Sequence, residues 1–261
     1  MLKHGILDEK YADIIPDSIT LTIPPDKTYI TKPELFFLDM LSNYRWDRPI
    51  SMLSAGGDIN IGIKDYLMYD GFSYRFVPVK NKTTRLNNDF TDSEDLYEKM
   101  TRTYCWDALK RTDWFADYHN LYTFAGVQNQ RKIFVDAAEV LFKEGEREKA
   151  AEILDMCQEC IPESVIPFDL SAYGFSNEQY VLSMIEMYYR IGEGTEAARL
   201  ASRFAGQLLE SAAFFLMYYD WADTSFHNCY SILARLADLT HEYGDTDISD
   251  SIVDGFNAIV D

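Results

Sequence analysis

Long apolar runs are missing from this 261-residue chain. None approaches the roughly 18–20 residues that a membrane-crossing helix needs. The first residues, MLKHGILDEKYAD, lack the apolar centre of a secretion signal. The chain as written is therefore expected to be soluble, whether it is whole or a piece of a longer, membrane-bound product. Basic residues are also scarce: 24 against 43 acidic ones, so 24 − 43 = −19. The deficit sits in one half. Residues 1–131 carry 16 basic and 19 acidic side chains, a net of −3; residues 132–261 carry 8 and 24, a net of −16. Such a half repels phosphate backbones, which argues against nucleic acid and anionic lipid as partners. The change of character near residue 131 marks a domain boundary.

Signatures of chemistry are thin. The four histidines, His4, His119, His227 and His241, are scattered, and none makes a ligand pair at helical spacing. Asp117 and His119, with Asp113 near, come closest to a metal set. Of four cysteines, Cys157 and Cys160 form a CxxC, but within a predicted helix, where the spacing does not readily close a disulfide. No second CxxC or neighbouring histidine completes a zinc site. These thiols, with Cys105 and Cys229, read as buried and unreactive. The loop Ala55-Gly56-Gly57-Asp58 lacks the Lys-Ser/Thr of a phosphate loop and the third glycine of a dinucleotide turn. G-x-S-x-G is absent. Carboxylates abound, but none has a neighbour that singles it out as a glycosidase acid or base. No catalytic residue, metal ligand or cofactor is assigned, and the chain is expected not to be an enzyme.

What is present is a repeat signal. In RKIFVDAAEVLFKEGEREKAAEILDMCQECIP, residues 131–162, Phe134, Ala137, Ala138 and Leu141 recur at helical spacing, as do Ala150, Ile153, Leu154 and Cys157. Gly145 separates the two sets, where a helix stops on positive φ. Glu146 and Glu148 fall in the first turn of the second helix, near its exposed amides. The order large, small, aliphatic, Gly, Ala, aliphatic, Pro is that of a tetratricopeptide repeat (TPR). An ordinary amphipathic helical hairpin is the simpler alternative. A second unit starts at Ser176 with a capping-box pattern and runs through Val181, Met184, Ile185 and Tyr188 to Gly192, then Ala197, Ala201 and Phe204. The turns Gly145 and Gly192 are 192 − 145 = 47 residues apart, not the repeat's usual 34 or so; residues 163–175 account for the surplus. A third hairpin is predicted over 230–243 and 248–260 around Gly244. Residues 208–221 are so apolar that burial is expected.

The first hundred residues read differently. Residues 18–24, SITLTIP, alternate like a half-buried strand. Thr31 and Glu34 form a capping box with Pro33 in the first turn, opening a helix that buries Leu35, Leu38, Met40 and Leu41 or their neighbours. Strands are predicted over 48–53 and 73–79, with Pro78 at an edge, a short helix over 63–69 stopped by Gly71, and a helix over 92–104. Helix and strand in alternation suggest a small α/β layer with at least one parallel crossover. Residues 105–126, rich in Trp, Tyr and Phe, read as a packed linker.

Three stretches then carry a resemblance. They are IPDSITLTIP, ITKPELFFLDMLSNYRWDRPISML and IGIKDYLMYDGFSYRFVPVK; Trp46, Arg48, Pro49, Ile50, Asp65, Tyr66, Leu67, Gly71, Tyr74, Arg75 and Pro78 are the most specific residues. Followed by an aromatic linker and a TPR-like hairpin, they resemble the C-terminal soluble region of large Bacteroidetes membrane proteins. Those proteins were first catalogued as a domain of unknown function, then as glycosyltransferase-like, and are related to protein O-mannosyltransferases. The resemblance implies that catalysis belongs to a membrane domain not contained here. It further implies an extracytoplasmic location and an accessory role: holding an acceptor polypeptide or bracing that membrane domain.

The expected fold class is α+β: a small α/β domain (1–105), an aromatic linker (106–126) and a TPR-like helical domain (127–261). In a TPR stack the first helices line a groove. That assigns Lys132, Glu139, Lys143, Gln179, Glu186, Tyr189 and Arg190 to a mixed-charge surface suited to extended peptide. The groove is equally expected to be buried against the α/β half. A second class of function is glycan or lipid-linked-sugar binding, with Trp106, Trp114 and Tyr118 as stacking faces.

Overall fold

The computed structural model describes residues 1–54, 59–81, 90–113, 130–169, 171, 172 and 175–260. It divides into two compact units, Met1–Glu98 and Lys99–Asp261. Most of the described chain is helical, with a small antiparallel sheet near the N-terminus.

In the first unit, α1 (Lys32–Ser42) starts on the expected capping box. The Glu34 amide donates to Thr31 Oγ1 at 3.4 Å, and Glu34 Oε2 accepts from the Thr31 amide at 2.8 Å. The buried stripe is not the one read from the apolar letters. Glu34 and Phe37 are buried, whereas Leu35 is 63% exposed and Met40 43%. The true stripe is Glu34, Phe37, Leu38 and Leu41, spaced i, i+3, i+4, i+7. Its first member is a carboxylate whose partners lie inside the fold.

Strands β1 (Ser51–Met52), β2 (Leu67–Tyr69) and β3 (Tyr74–Phe76) form a sheet in the order β1-β3-β2 with antiparallel pairing throughout. This corrects the expected parallel crossover. Only residues 70–73 join β2 to β3, far fewer than a crossover requires. Asp70 Oδ1 accepts from the Ser73 amide and hydroxyl, and Gly71 sits at φ 97° to close that turn. A lone parallel bridge, Tyr69 to Thr91, lies outside the ladders. The helix predicted over 63–69 is a short 3₁₀ turn, Ile63–Tyr66, leading directly into β2. Among the described residues no strand pairs with residues 18–24. Helix α2 (Ser93–Glu98) closes the unit.

In the second unit a π-turn, Lys99–Thr103, precedes α3 (Asp107–Lys110). Six longer helices follow: α4 (Gln130–Lys143), α5 (Arg147–Cys160), α6 (Asn177–Ile191), α7 (Gly194–Met217), α8 (Tyr219–Glu242) and α9 (Thr246–Val260). Strands β4 (Ser171–Ala172) and β5 (Phe175–Ser176) pair between α5 and α6. Gly145, Gly192 and Gly244 sit at φ 88°, 106° and 91° at three helix ends. Each makes the same pair of bonds, its amide reaching back three residues and the next amide five, as from Glu146 to Leu141, Glu193 to Tyr188 and Asp245 to Thr240. Three hairpins result. Counting from each glycine, Phe134, Val181 and Leu233 are equivalent, as are Ala138, Ile185 and Ala237, and Ala150, Ala197 and Ser249; all nine are buried. Helix α4 packs on α5 and α6, α6 on α7 and α8, and α8 on α9. One shared core therefore runs through the hairpins.

Residues 208–221 overturn the expectation of burial. Leu208 and Ala212 are buried, but Phe214 is 53% exposed and Trp221 92%. Helix α7 has 24 residues and α8 spans 24 with a kink at Ala222, where φ is −130°, against 15 in α6 and in α9. The difference, 24 − 15 = 9 residues, is about 13 Å of helix, and the end of the longer hairpin outruns its neighbours. Among the described residues no helix is long and apolar enough to cross a membrane.

Candidate functional site

The predicted groove residues lie on α4 and α6, and most have their polar groups engaged by neighbours on the same unit. Lys132 pairs with Asp136, Lys143 with Glu139 at 3.1 Å, and Arg190 with Glu186 at 3.9 Å. The Arg190 guanidinium lies 4.9 Å from the Phe142 ring. Gln179 accepts from Arg235 of α8. Tyr189 is only 8% exposed; its ring stacks on Tyr243 at 4.5 Å and its hydroxyl donates to Asp245 at 2.5 Å. Burial, then the Asp245 carboxylate, pushes its phenol pKa up. Tyr189 thus ties α6 to the α8–α9 turn. The surface that remains is a run of half-exposed intrahelical ion pairs, each worth a few tenths of a kcal/mol.

The proposed sugar-stacking set fares differently. Trp106 is buried at 6% exposure, with its ring 4.6 Å from Phe134 and its Nε1 donating to the Met100 carbonyl at 2.7 Å. No face of it is open to a sugar, which corrects that assignment. Trp114 and Tyr118 lie outside the described residues, as do Asp117, His119 and the Ala55–Asp58 loop. Asp113 pairs with Arg111 at 2.6 Å.

Among the described residues the largest fully buried side chain is a cation, Arg131, that the sequence reading does not single out. Arg131 is 1% exposed. Its guanidinium donates to the carbonyls of Ile161 (3.2 Å), Ile166 (2.6 Å) and Pro167 (3.3 Å) and to Asn177 Oδ1 (2.9 Å). Asn177, fully buried, returns two bonds to the carbonyls of Pro167 and Phe168. Arg131 lies 5.0 Å from the Phe168 ring, and Arg203, paired with Glu163 at 2.5 Å, lies 5.6 Å from it. Burial lowers the Arg131 pKa to about 10. The signal was available: Arg131, Phe134, Ala138 and Leu141 share one helix face, so a cation stands on the buried stripe. Beside it opens a cleft of about 250 Å³, lined also by Gln158 and Met184. Its donors are spent on holding the 161–168 loop between the first two hairpins. The nearby Cys157 thiol is pushed up to about 12 by burial, so it is no nucleophile at neutral pH.

The first unit holds a larger and more apolar cleft, about 380 Å³. Ile15, Ile19, Leu38, Leu41, Trp46 and Phe76 line it, with Asp17, Ser18 and Ser42 among its polar members. Trp46 sits at φ 56°, a left-handed conformation uncommon outside glycine. It is held there by stacking on Phe76 at 5.7 Å and by Tyr44 at 4.5 Å, whose hydroxyl donates to the Arg48 carbonyl. The same Trp46 and Arg48 stand in the stretch that carries the resemblance. A concave apolar site with a few polar groups is the usual form of a binding pocket. Among the described residues no cluster of histidine, cysteine or carboxylate is arranged to hold a metal.

No curated protein and no solved structure matches this chain. Residues 1–95, which span the first unit almost to its end at Glu98, match the family described as TMEM260-associated domain 2.

Proposed function

We propose that this chain is a non-catalytic accessory module of a glycosyltransferase-like membrane protein. It works on the extracytoplasmic face, holding an acceptor polypeptide or bracing the parent's membrane domain. The observation that carries this reading is the family match over residues 1–95, a domain linked to membrane glycosyltransferase-like proteins. The finer assignment, to the soluble region of the Bacteroidetes proteins, rests on the sequence resemblance.

The helical unit supports a binding role. Its three hairpins keep one register from glycine to buried small residue, and alternate helices pack on each other, as a TPR-like array requires. Phe214, Met217, Tyr218, Tyr219 and Trp221 stand exposed at the end of the α7–α8 hairpin. Such residues are enriched where proteins meet. The test is a pull-down at low salt with the chain as bait and the parent organism's membrane extract as prey. Recovery of the membrane domain encoded in the same reading frame, or of its acceptor polypeptides, is expected. Recovery of neither ends the reading.

A further inference from the structure

Residues 18–22, SITLT, keep in the structure the alternation they have in sequence, and Ile23, 43% exposed, ends it. Ile19 and Leu21 are half-buried, packed on the cluster of Tyr66, Leu67 and Phe76, while Ser18, Thr20 and Thr22 are exposed. That period of two belongs to a strand lying with one face on a core. Among the described residues no strand pairs with it.

Two contacts show which edge faces inward. The Tyr66 hydroxyl donates to the Thr20 carbonyl at 3.1 Å. A Cβ on Gly62 would lie 2.4 Å from the Thr22 carbonyl oxygen and 2.7 Å from its nitrogen. The backbone groups of Thr20 and Thr22 therefore face the protein. In a strand those of alternate residues face the opposite way. Ile19, Leu21 and Ile23 then present their N–H and C=O groups along an open edge, repeating about every 7 Å. None of these six groups has a hydrogen-bond partner among the described residues. A row with that repeat is matched by another extended backbone.

The same segment forms one wall of the 380 Å³ cleft, faced by Leu38, Leu41, Trp46 and Phe76. We propose that the first unit binds an extended segment of a partner polypeptide by strand addition along residues 19–23, seating one aliphatic or aromatic side chain in this cleft. A lipid chain would fill the cleft but leave the backbone row unmet. A second copy would pair the row, but its own Ile19 and Leu21 are committed to its own core, which leaves only the single side chain of Ile23 to reach the cleft. This deepens the protein-binding reading and rests on the first unit alone.

The experiment selects a displayed library of random twelve-residue peptides on the full chain. Selection recovers peptides that alternate β-branched residues and carry an apolar anchor. Ile23→Pro removes one open-edge donor at a side chain that is 43% exposed. It weakens a selected peptide about tenfold, while Ile23→Ala binds as wild type. N-methylating the peptide one residue at a time, against the wild-type chain, abolishes binding at every second position. The proposal is overturned if no peptide is enriched, if methylation shows no alternation, or if light scattering finds a dimer that Ile23→Pro dissolves. It is also overturned by peptides that ignore Ile23→Pro but lose affinity on Glu186→Ala; the general protein-binding reading survives that result.

Discussion

Replacing Arg131 by methionine tests whether one buried cation organises the helical unit. Methionine keeps much of the volume, so the cost comes from the groups left behind. The Ile161 and Ile166 carbonyls and Asn177 Oδ1 each lose their donor, while the Pro167 carbonyl keeps the Asn177 side-chain amide at 2.9 Å. A buried acceptor without a partner costs about 1–3 kcal/mol, so three cost roughly 3–9. Two effects offset this. The charge is itself disfavoured by burial, as its lowered pKa shows, and that penalty disappears with it. The adjoining cleft also lets water reach part of the loop. A net loss of about 3 kcal/mol follows, or roughly 6–12 °C in the melting of a unit of this size. Urea and thermal unfolding followed by far-ultraviolet circular dichroism measure it. Asn177→Ala belongs to the same network, so the double variant loses less than the sum of the singles by at least about 0.5 kcal/mol. If Arg131→Met unfolds within about 0.5 kcal/mol of wild type, or the two changes simply add, apolar packing of Ile166 and Phe168 holds the loop and the arginine does not.

Glu34 sets an acid limit on the first unit. Hydrogen bonds from the Thr31 amide, then from Lys27 and the Asn60 amide, hold its carboxyl at about 2. The folded value lies below the unfolded one, so the unfolded state binds the proton more readily. The stabilisation is complete above about pH 4.5 and fades as pH falls towards 2. Thermal melts across that window have a shallower slope for Glu34→Gln than for wild type; equal slopes contradict the assignment. Gly62→Ala and Gly192→Ala both place a side chain on positive φ, but a Cβ at Gly192 meets nothing within 4 Å whereas one at Gly62 strikes the Thr22 backbone. Gly192→Ala costs about 1–2 kcal/mol and Gly62→Ala distinctly more, by denaturant titration; a reversed order refutes the packing described around Thr22. Cys105 is exposed, against the expectation of four buried thiols, so in the native chain a thiol reagent titrates it and reaches the buried Cys157, Cys160 and Cys229 only on unfolding. Rapid native reaction at a second thiol contradicts their burial.

The turns at Gly145, Gly192 and Gly244 are legible because they depend on local physics. A glycine that must adopt positive φ, and small residues at fixed offsets from it, leave marks in the sequence wherever a hairpin closes. The Thr31–Glu34 capping box was legible for the same reason. Properties of the assembled fold were not. The apolar letters of helix α1 do not show that the capping residue Glu34 is also buried, because a carboxylate is buried only when other residues, here Lys27 and Asn60, come to meet it. Arg131 was passed over, since its partners lie 30 or more residues away. Sheet direction failed because alternating helix and strand suit either topology until the length of each connection is known. Trp106 lies in the stretch that reads as a packed linker and is buried against Phe134, which leaves the alternative, a sugar-stacking face, without an open ring there.

The exposed end of the α7–α8 hairpin shows the same gap from the other side. Hydrophobicity measures what a segment prefers, not whether a neighbour stands beside it. Helices α6 and α9 are shorter than those they pack on, so Phe214, Met217 and Trp221 pass the end of the core. The surrounding charge narrows what can meet them. No lysine or arginine occurs between Arg203 and Arg235, while Glu210, Asp220 and Asp223 lie in that interval. A second copy would bring like charge to like charge, and an anionic bilayer would do the same.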